Sequence, residues 1–275
     1  MDNFLSYTVL GLVQGMTEFL PVSSSGHLIL AHQFLGITQN GLAVDAVLQL
    51  ATALAIVVYF WKDLLNLLYT FLYKVTGRPV EKADWNLFLA LVAGTVPAII
   101  LGLFLEEVMG TVFRDAHLVA YALIAGSVIM LAAEYAYARS KLTTSYVVNF
   151  ERGPTAGKGF VIGLFQSLAL IPGMSRSGMT ISGGLFLGLS RESAARFGFL
   201  LAVPIIAGSG LKKLYDLFQG GELVTLGTPL LWGSTVAFLS GLLAIHLLLL
   251  FVRKQPLYAF IVYRFLLAGV ILFFL

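Results

Sequence analysis

Two hydrophobic stretches of this chain are interrupted in the same way, and the interruption limits what the chain can fold into. One runs from Phe4 to Leu20, stops at Pro21-Val22-Ser23-Ser24-Ser25-Gly26, and resumes from His27 to Leu35. The other runs from Phe160 to Ile171, stops at Pro172 to Gly178, and resumes to Leu189. Proline removes a helix donor, and a Gly/Ser cluster favours turn geometry. Each half is shorter than the ~20 residues that cross a bilayer at ~1.5 Å rise per residue. The pattern predicts two helix–turn–helix hairpins that enter a membrane and return, with new helices opening at about His27 and about Met179. Broken backbone at that depth is tolerated only inside protein or against a wet cavity.

Composition supports a lipid solvent. Of 275 residues, 59% are hydrophobic and 11% charged, against about a quarter charged in a soluble domain. Six further apolar runs, 43–61, 86–105, 117–138, 194–211, 229–252 and 256–275, are long enough to span. None alternates apolar and polar residues as a barrel strand would. The lack of cysteine excludes disulfides and thiolate chemistry. A net charge of +3 is too small to point to nucleic acid. Met1–Asp2 leads almost directly into apolar sequence, so no cleaved signal peptide is expected.

The hairpins resemble each other. At an offset of 152, Gly11, Leu12, Gln14, Ser23, Ser25 and Gly26 meet Gly163, Leu164, Gln166, Ser175, Ser177 and Gly178. That is six identities in sixteen positions without a gap. Three candidate spans follow each hairpin. The expected fold is an all-α integral membrane protein, one membrane domain over 1–275. It has two inverted-topology repeats, about 1–115 and 155–275, joined by a basic loop at 139–158. Each repeat is a re-entrant hairpin plus three spans, six in all. Corresponding broken segments in two halves point to a site near the membrane midplane. Lys62, Lys74, Arg78 and Lys82, then Arg139, Lys141, Arg152 and Lys158, then Arg253 and Lys254, place their loops inside. Glu106, Glu107 and Asp115 then fall outside. The first hairpin enters from outside and the second from inside, tip to tip.

The turns carry chemistry. A helix N-terminus offers free N–H groups and a positive dipole end to an anion. Arg176 adds a permanent charge with a fork suited to phosphate. Gln14 and Glu18, four apart, share one helix face. Pooled, the turns offer the hydroxyls of Ser23, Ser24, Ser25, Ser175, Ser177 and Thr180, with His27, Glu18, Gln14 and Arg176. That set suits phosphoryl transfer: nucleophile, base, charge clamp and a metal ligand. Any one serine is equally explained as a helix cap or a packing residue. Glu18 and Arg176 are different, because ionisable groups at membrane depth are costly and usually functional. Asp45 and Glu134, near span ends, are expected to reach water, and His246 to pack. Arg264, eight residues into the last span, is a candidate to face the cavity and help hold phosphate. No Walker A loop and no two-histidine zinc motif is present, and the histidine after a Ser-Arg pair that histidine phosphatases need is missing.

"QGMTEFLPVSSSGH" (14–27) and "PGMSRSGMT" (172–180), with "GTVPA" at 94–98, "FLLAVP" at 199–204 and "YRF" at 263–265, closely resemble the bacterial undecaprenyl-diphosphate phosphatases of the bacitracin-resistance type. The resemblance implies an integral plasma-membrane enzyme. It would hydrolyse the C55 isoprenoid diphosphate to monophosphate and phosphate, and so recycle the lipid carrier for cell-wall polymers. It also implies a divalent metal, Mg²⁺ or Ca²⁺, with Glu18 as ligand. Gln14 stands where the family allows Glu or Gln, so a two-carboxylate metal site is not expected. By the same resemblance Ser24 is the favoured nucleophile, with His27 as base and Glu18 binding the metal or orienting His27. Direct attack by His27 and a metal-activated water stay open, as does a homodimer. A lipid-carrier flippase is the competing class, since inverted repeats with broken helices are typical of transporters.

Overall fold

The structure, a computed structural model, describes residues 3–36, 41–105, 115–143 and 154–274. Over these the chain forms eleven helices and no strand. They are α1 (Asn3–Phe19), α2 (Ser24–Leu35), α3 (Gly41–Tyr59), α4 (Trp61–Val75), α5 (Lys82–Phe104) and α6 (Ala116–Thr143). Then follow α7 (Ala156–Leu168), α8 (Arg176–Phe186), α9 (Arg191–Gln219), α10 (Glu222–Lys254) and α11 (Tyr258–Phe274). Glu106, Glu107 and Arg152, used in the charge map, lie outside the described residues.

Both broken segments are helix–turn–helix hairpins, α1–α2 and α7–α8. The helices restart three residues earlier than expected, at Ser24 and Arg176. The cause is a backbone reversal at the preceding serine. Ser23 has φ 73° and Ser175 φ 70°, the only non-glycine residues with positive φ among the described residues. Few side chains other than Gly, Asn or Asp adopt this region, and doing so costs free energy. The two serines are equivalent at the offset of 152. Ser24, Ser25, Arg176 and Ser177 therefore sit in first turns, where backbone N–H groups lack helical partners.

Four helices are long and apolar enough to span a membrane: Lys82–Phe104, Ala116–Ser140, Arg191–Gln219 and Gly227–Lys254. The expected span at 43–61 is different. It bends by 74° at Phe60 and continues as α4, so the segment 62–85 is not simply a loop. Trp61, Leu65, Leu68, Tyr69 and Leu72 of α4 are exposed, as on a helix lying in a membrane interface. The last expected span is the 17-residue α11, about 26 Å long at 1.5 Å per residue.

Two helix crossings hold the hairpins in place. α1 packs along α10, and α7 along α5. A Cβ on Gly11 would lie 2.2 Å from the Gly233 carbonyl oxygen, and one on Gly163 2.1 Å from that of Gly94. Gly15 faces Ala237, and Gly159 faces Ala90, so both pairs run parallel. Glycine allows backbones to touch where lipid gives no hydrophobic drive to association. α3 also packs on α9, and α6 on α11.

Ion pairs close one end of the bundle. Glu134 of α6 is fully buried rather than hydrated, because it accepts both Nε and Nη2 of Arg191 and the Leu257 N–H. Arg196 pairs with Asp63 at 2.9 Å, and Arg253 with Glu192 at 2.6 Å. The first turns of α9 are thereby tied to α4, α6 and α10. His246 lies against Tyr59, Nδ1 to OH 3.1 Å, and Asp45 binds His32 at 2.7 Å instead of water alone.

Candidate active site

The two turn tips meet, and each clasps the backbone of the other. Gly173 N–H donates to Ser25 Oγ at 2.9 Å, and Ser177 Oγ donates to the Leu20 carbonyl at 3.1 Å. Within the turns, Ser23 and Ser25 hydroxyls are 3.0 Å apart, and Ser175 and Ser177 hydroxyls 3.2 Å apart. Ser175 Oγ also accepts the Gly178 N–H, as a helix cap. Ser25 and Ser177 join the tips, Ser23 and Ser175 bond to them within each turn, and Ser24 is left to face α1.

There, in the last turn of α1, Glu18 gathers two donors on one oxygen. Gln14 Nε2 donates to Oε2 at 3.0 Å and Ser24 Oγ at 2.7 Å. Gln14 and Glu18 are buried, at 1% and 8% exposure. The acceptor of the Ser24 proton is thus Glu18. His27 is held elsewhere: Nδ1 lies 2.7 Å from the Ser23 carbonyl and Nε2 2.6 Å from the Tyr263 hydroxyl. The carbonyl can only accept, so Nδ1 carries hydrogen, and in the neutral ring Nε2 accepts from tyrosine. The two rings also stack, at 5.5 Å and 6°.

Arg176 opens α8, and it lines one small pocket with Glu18, Phe19, Ile56, Ser177 and Phe199. Its Nη1 is buried and has no protein partner. A buried guanidinium donor without a protein partner, beside a carboxylate and a hydroxyl, is suited to hold an anionic oxygen.

Thr180 and Arg264 bond to the framework around the second turn. Thr180 Oγ1 donates back to the Arg176 carbonyl at 3.0 Å, and it packs where a Cβ on Gly198 would touch it at 2.4 Å. Arg264 is fully buried. Its Nε donates to Ser127 Oγ at 2.9 Å, and Nη2 to the carbonyls of Leu123, Gly173 and Met174 at 3.0–3.2 Å. It braces the second turn, and its Nη1, like that of Arg176, is buried without a protein partner. The roles of Ser127 and Tyr263 are not legible in the sequence. A small polar pair, Gly126-Ser127, inside an apolar run was the one available signal for the first.

Among the described residues no group of three His, Cys, Asp or Glu is placed to hold a metal. The site offers one carboxylate, Glu18, with neutral oxygens around it. Such a set is too weakly charged for an all-protein cage. It fits Mg²⁺, which is commonly held by one or two carboxylates together with substrate phosphates.

A family model described as bacitracin resistance protein BacA matches residues 7–270. The undecaprenyl-diphosphatase of Mycolicibacterium smegmatis is 41% identical over 272 residues, covering 98% of this chain and 96% of that protein. That of Mycobacterium leprae is 42% identical over 258 residues, covering 93% and 89%. That of Chloroherpeton thalassium is 36% identical, covering 96% and 94%.

Proposed function

The chain belongs to the BacA family of bacitracin resistance proteins, and from that membership we infer its reaction. It is a multi-pass membrane enzyme that hydrolyses undecaprenyl diphosphate to undecaprenyl phosphate and phosphate. This recycles the lipid carrier for wall synthesis and underlies bacitracin resistance. A flippase without chemistry would have no use for a serine bonded to a carboxylate that shares a pocket with a guanidinium donor lacking a protein partner.

The observation that carries the mechanism is the Ser24–Glu18 bond of 2.7 Å, because Glu18 in turn lines one pocket with Arg176. Ser24 Oγ attacks the terminal phosphorus as its proton passes to Glu18 Oε2. The bond from phosphorus to the bridging oxygen breaks, and the lipid monophosphate leaves as an anion that needs no strong acid. Arg176 Nη1 and the first N–H groups of α8 hold the phosphoryl oxygens, where stabilising charge matters more than covalent help. Once the first proton has left, Glu18 takes a proton from water. That water attacks the phosphoserine, phosphate leaves, and the proton returns to Ser24 Oγ. Gln14 fixes the Glu18 oxygen, and His27 with Tyr263 fixes the start of α2. Glu18 would be the protein ligand of a bound Mg²⁺ or Ca²⁺, which would supply positive charge against the diphosphate.

The charge map puts the site's mouth on the outer side. A cysteine replacing the exposed Asn66 of α4 should then react in intact cells only with a membrane-permeant maleimide; reaction with an impermeant one inverts the map. The activity itself is tested by phosphate release from undecaprenyl diphosphate by the purified protein, with and without EDTA. Release that stops with EDTA and returns with Mg²⁺ is expected. No release under any metal condition overturns the reading.

A further inference from the structure

We infer that the apolar groove between α3, α9 and α10 seats the first isoprene units of the substrate's tail. This rests on the phosphatase reading and extends it to the part of the substrate that undergoes no chemistry.

The diphosphate is bonded to a chain that cannot enter water, so the buried pocket needs an apolar path to the lipid. The pocket's apolar wall includes Ile56 of α3 and Ala202 and Ile206 of α9. Other residues of the same two helices, Ala53 and Val57 on α3 and Ala207 on α9, line a larger groove. The pocket and the groove share no lining residue, but both lie against α3 and α9. The groove has a volume of about 690 Å³, within the range of about 300–1,000 Å³ that ligand pockets occupy. No charged side chain lines it. Its one side-chain hydroxyl, Ser234, is spent on the Leu230 carbonyl at 2.8 Å. Gly227, non-helical at φ 55° and ψ −154°, breaks α10 where that helix lines the groove. Leu54 and Leu231 on its rim are 54% and 69% exposed, so the groove opens to the bilayer.

Capacity limits what is held. At about 30 Å³ per small group, the share of a water in the liquid, the groove takes on the order of twenty carbons, about four isoprene units. The rest of the C55 tail stays in the bilayer. Lipid tails are as apolar as leucine, so entering the groove gains no hydrophobic energy. What it supplies is fit to a branched chain and orientation of the attached diphosphate, which acts on turnover.

The test uses full-length protein in phosphatidylethanolamine–phosphatidylglycerol vesicles. Ala51→Trp and Ala207→Trp fill the groove. They should lower kcat/KM at least tenfold for undecaprenyl diphosphate and less than twofold for a diphosphate bearing a single isoprene unit. Equal loss on both, or no loss, overturns the inference. Wild-type protein, whose folding is not in question, is also photolabelled with a polyprenyl diphosphate carrying a diazirine near its head. Label on Leu54, Leu214 and Leu230 that unlabelled polyprenyl diphosphate displaces, and excess phospholipid does not, is expected. Displacement by phospholipid, labelling in a second copy of the chain, or labelling spread evenly around the helices contradicts the tail site. Groove labelling without phosphate release removes the phosphatase reading and keeps the tail site; release without groove labelling does the reverse.

Discussion

Ser24 Oγ donates to Glu18 Oε2 at 2.7 Å across the break between α1 and α2. The bond spans six residues of sequence, and it exists because Pro21 and the reversed backbone at Ser23 fold α2 back over the end of α1. The hydroxyl is thus placed on its proton acceptor before any substrate arrives.

Arg176 is expected to be separable from the fold. Its Nη1 has no protein partner, so Arg176→Ala should leave thermal stability nearly unchanged while lowering turnover by about 3 kcal/mol, roughly a hundredfold or more. Arg176→Lys should recover little, since lysine lacks the fork. A lysine variant at near wild-type rate would remove the clamp role.

Arg264 should behave in the opposite way. Removing it takes a donor from the Gly173 and Met174 carbonyls and from Ser127 Oγ, at about 1–3 kcal/mol for each buried group left unpaired, while the Leu123 carbonyl keeps the Ser127 hydroxyl. Arg264→Met should lower the melting temperature and the turnover together. Loss of activity at unchanged stability would mean that Arg264 contacts phosphate directly.

The glycine crossings predict a stability pattern. Gly163→Ala and Gly11→Ala place a methyl within 2.2 Å of a backbone oxygen on the partner helix, and each should destabilise by about 1–3 kcal/mol. Gly269→Ala meets nothing within 4 Å and should be neutral or slightly stabilising, by up to about 1 kcal/mol. Denaturation of all three in one detergent checks this, and equal effects would contradict the crossings.

The parts legible in sequence were those set by local chemistry. Pro21 and Pro172 marked the breaks, the spacing of Gln14 and Glu18 put them on one face, and Arg176 stood out by its cost in lipid. The helix starts were displaced by three residues because positive φ at Ser23 and Ser175 runs against serine's own preference. His27, three residues from Ser24, looked like its base. Its ring is captured instead by Tyr263, 236 residues away, a contact that only the packing of α11 creates. Glu134 near a span end suggested hydration, and Arg191, 57 residues on, buries it. Such long-range partners leave no periodic trace.

The most direct test of the account is phosphate release from undecaprenyl diphosphate by Ser24→Ala, measured beside wild type in the same vesicles. A serine that carries the phosphoryl group should leave less than about a thousandth of the activity, as when other catalytic nucleophiles are removed. Retention of a tenth or more, with Glu18→Ala inactive, would contradict attack by Ser24 and assign the attack to water.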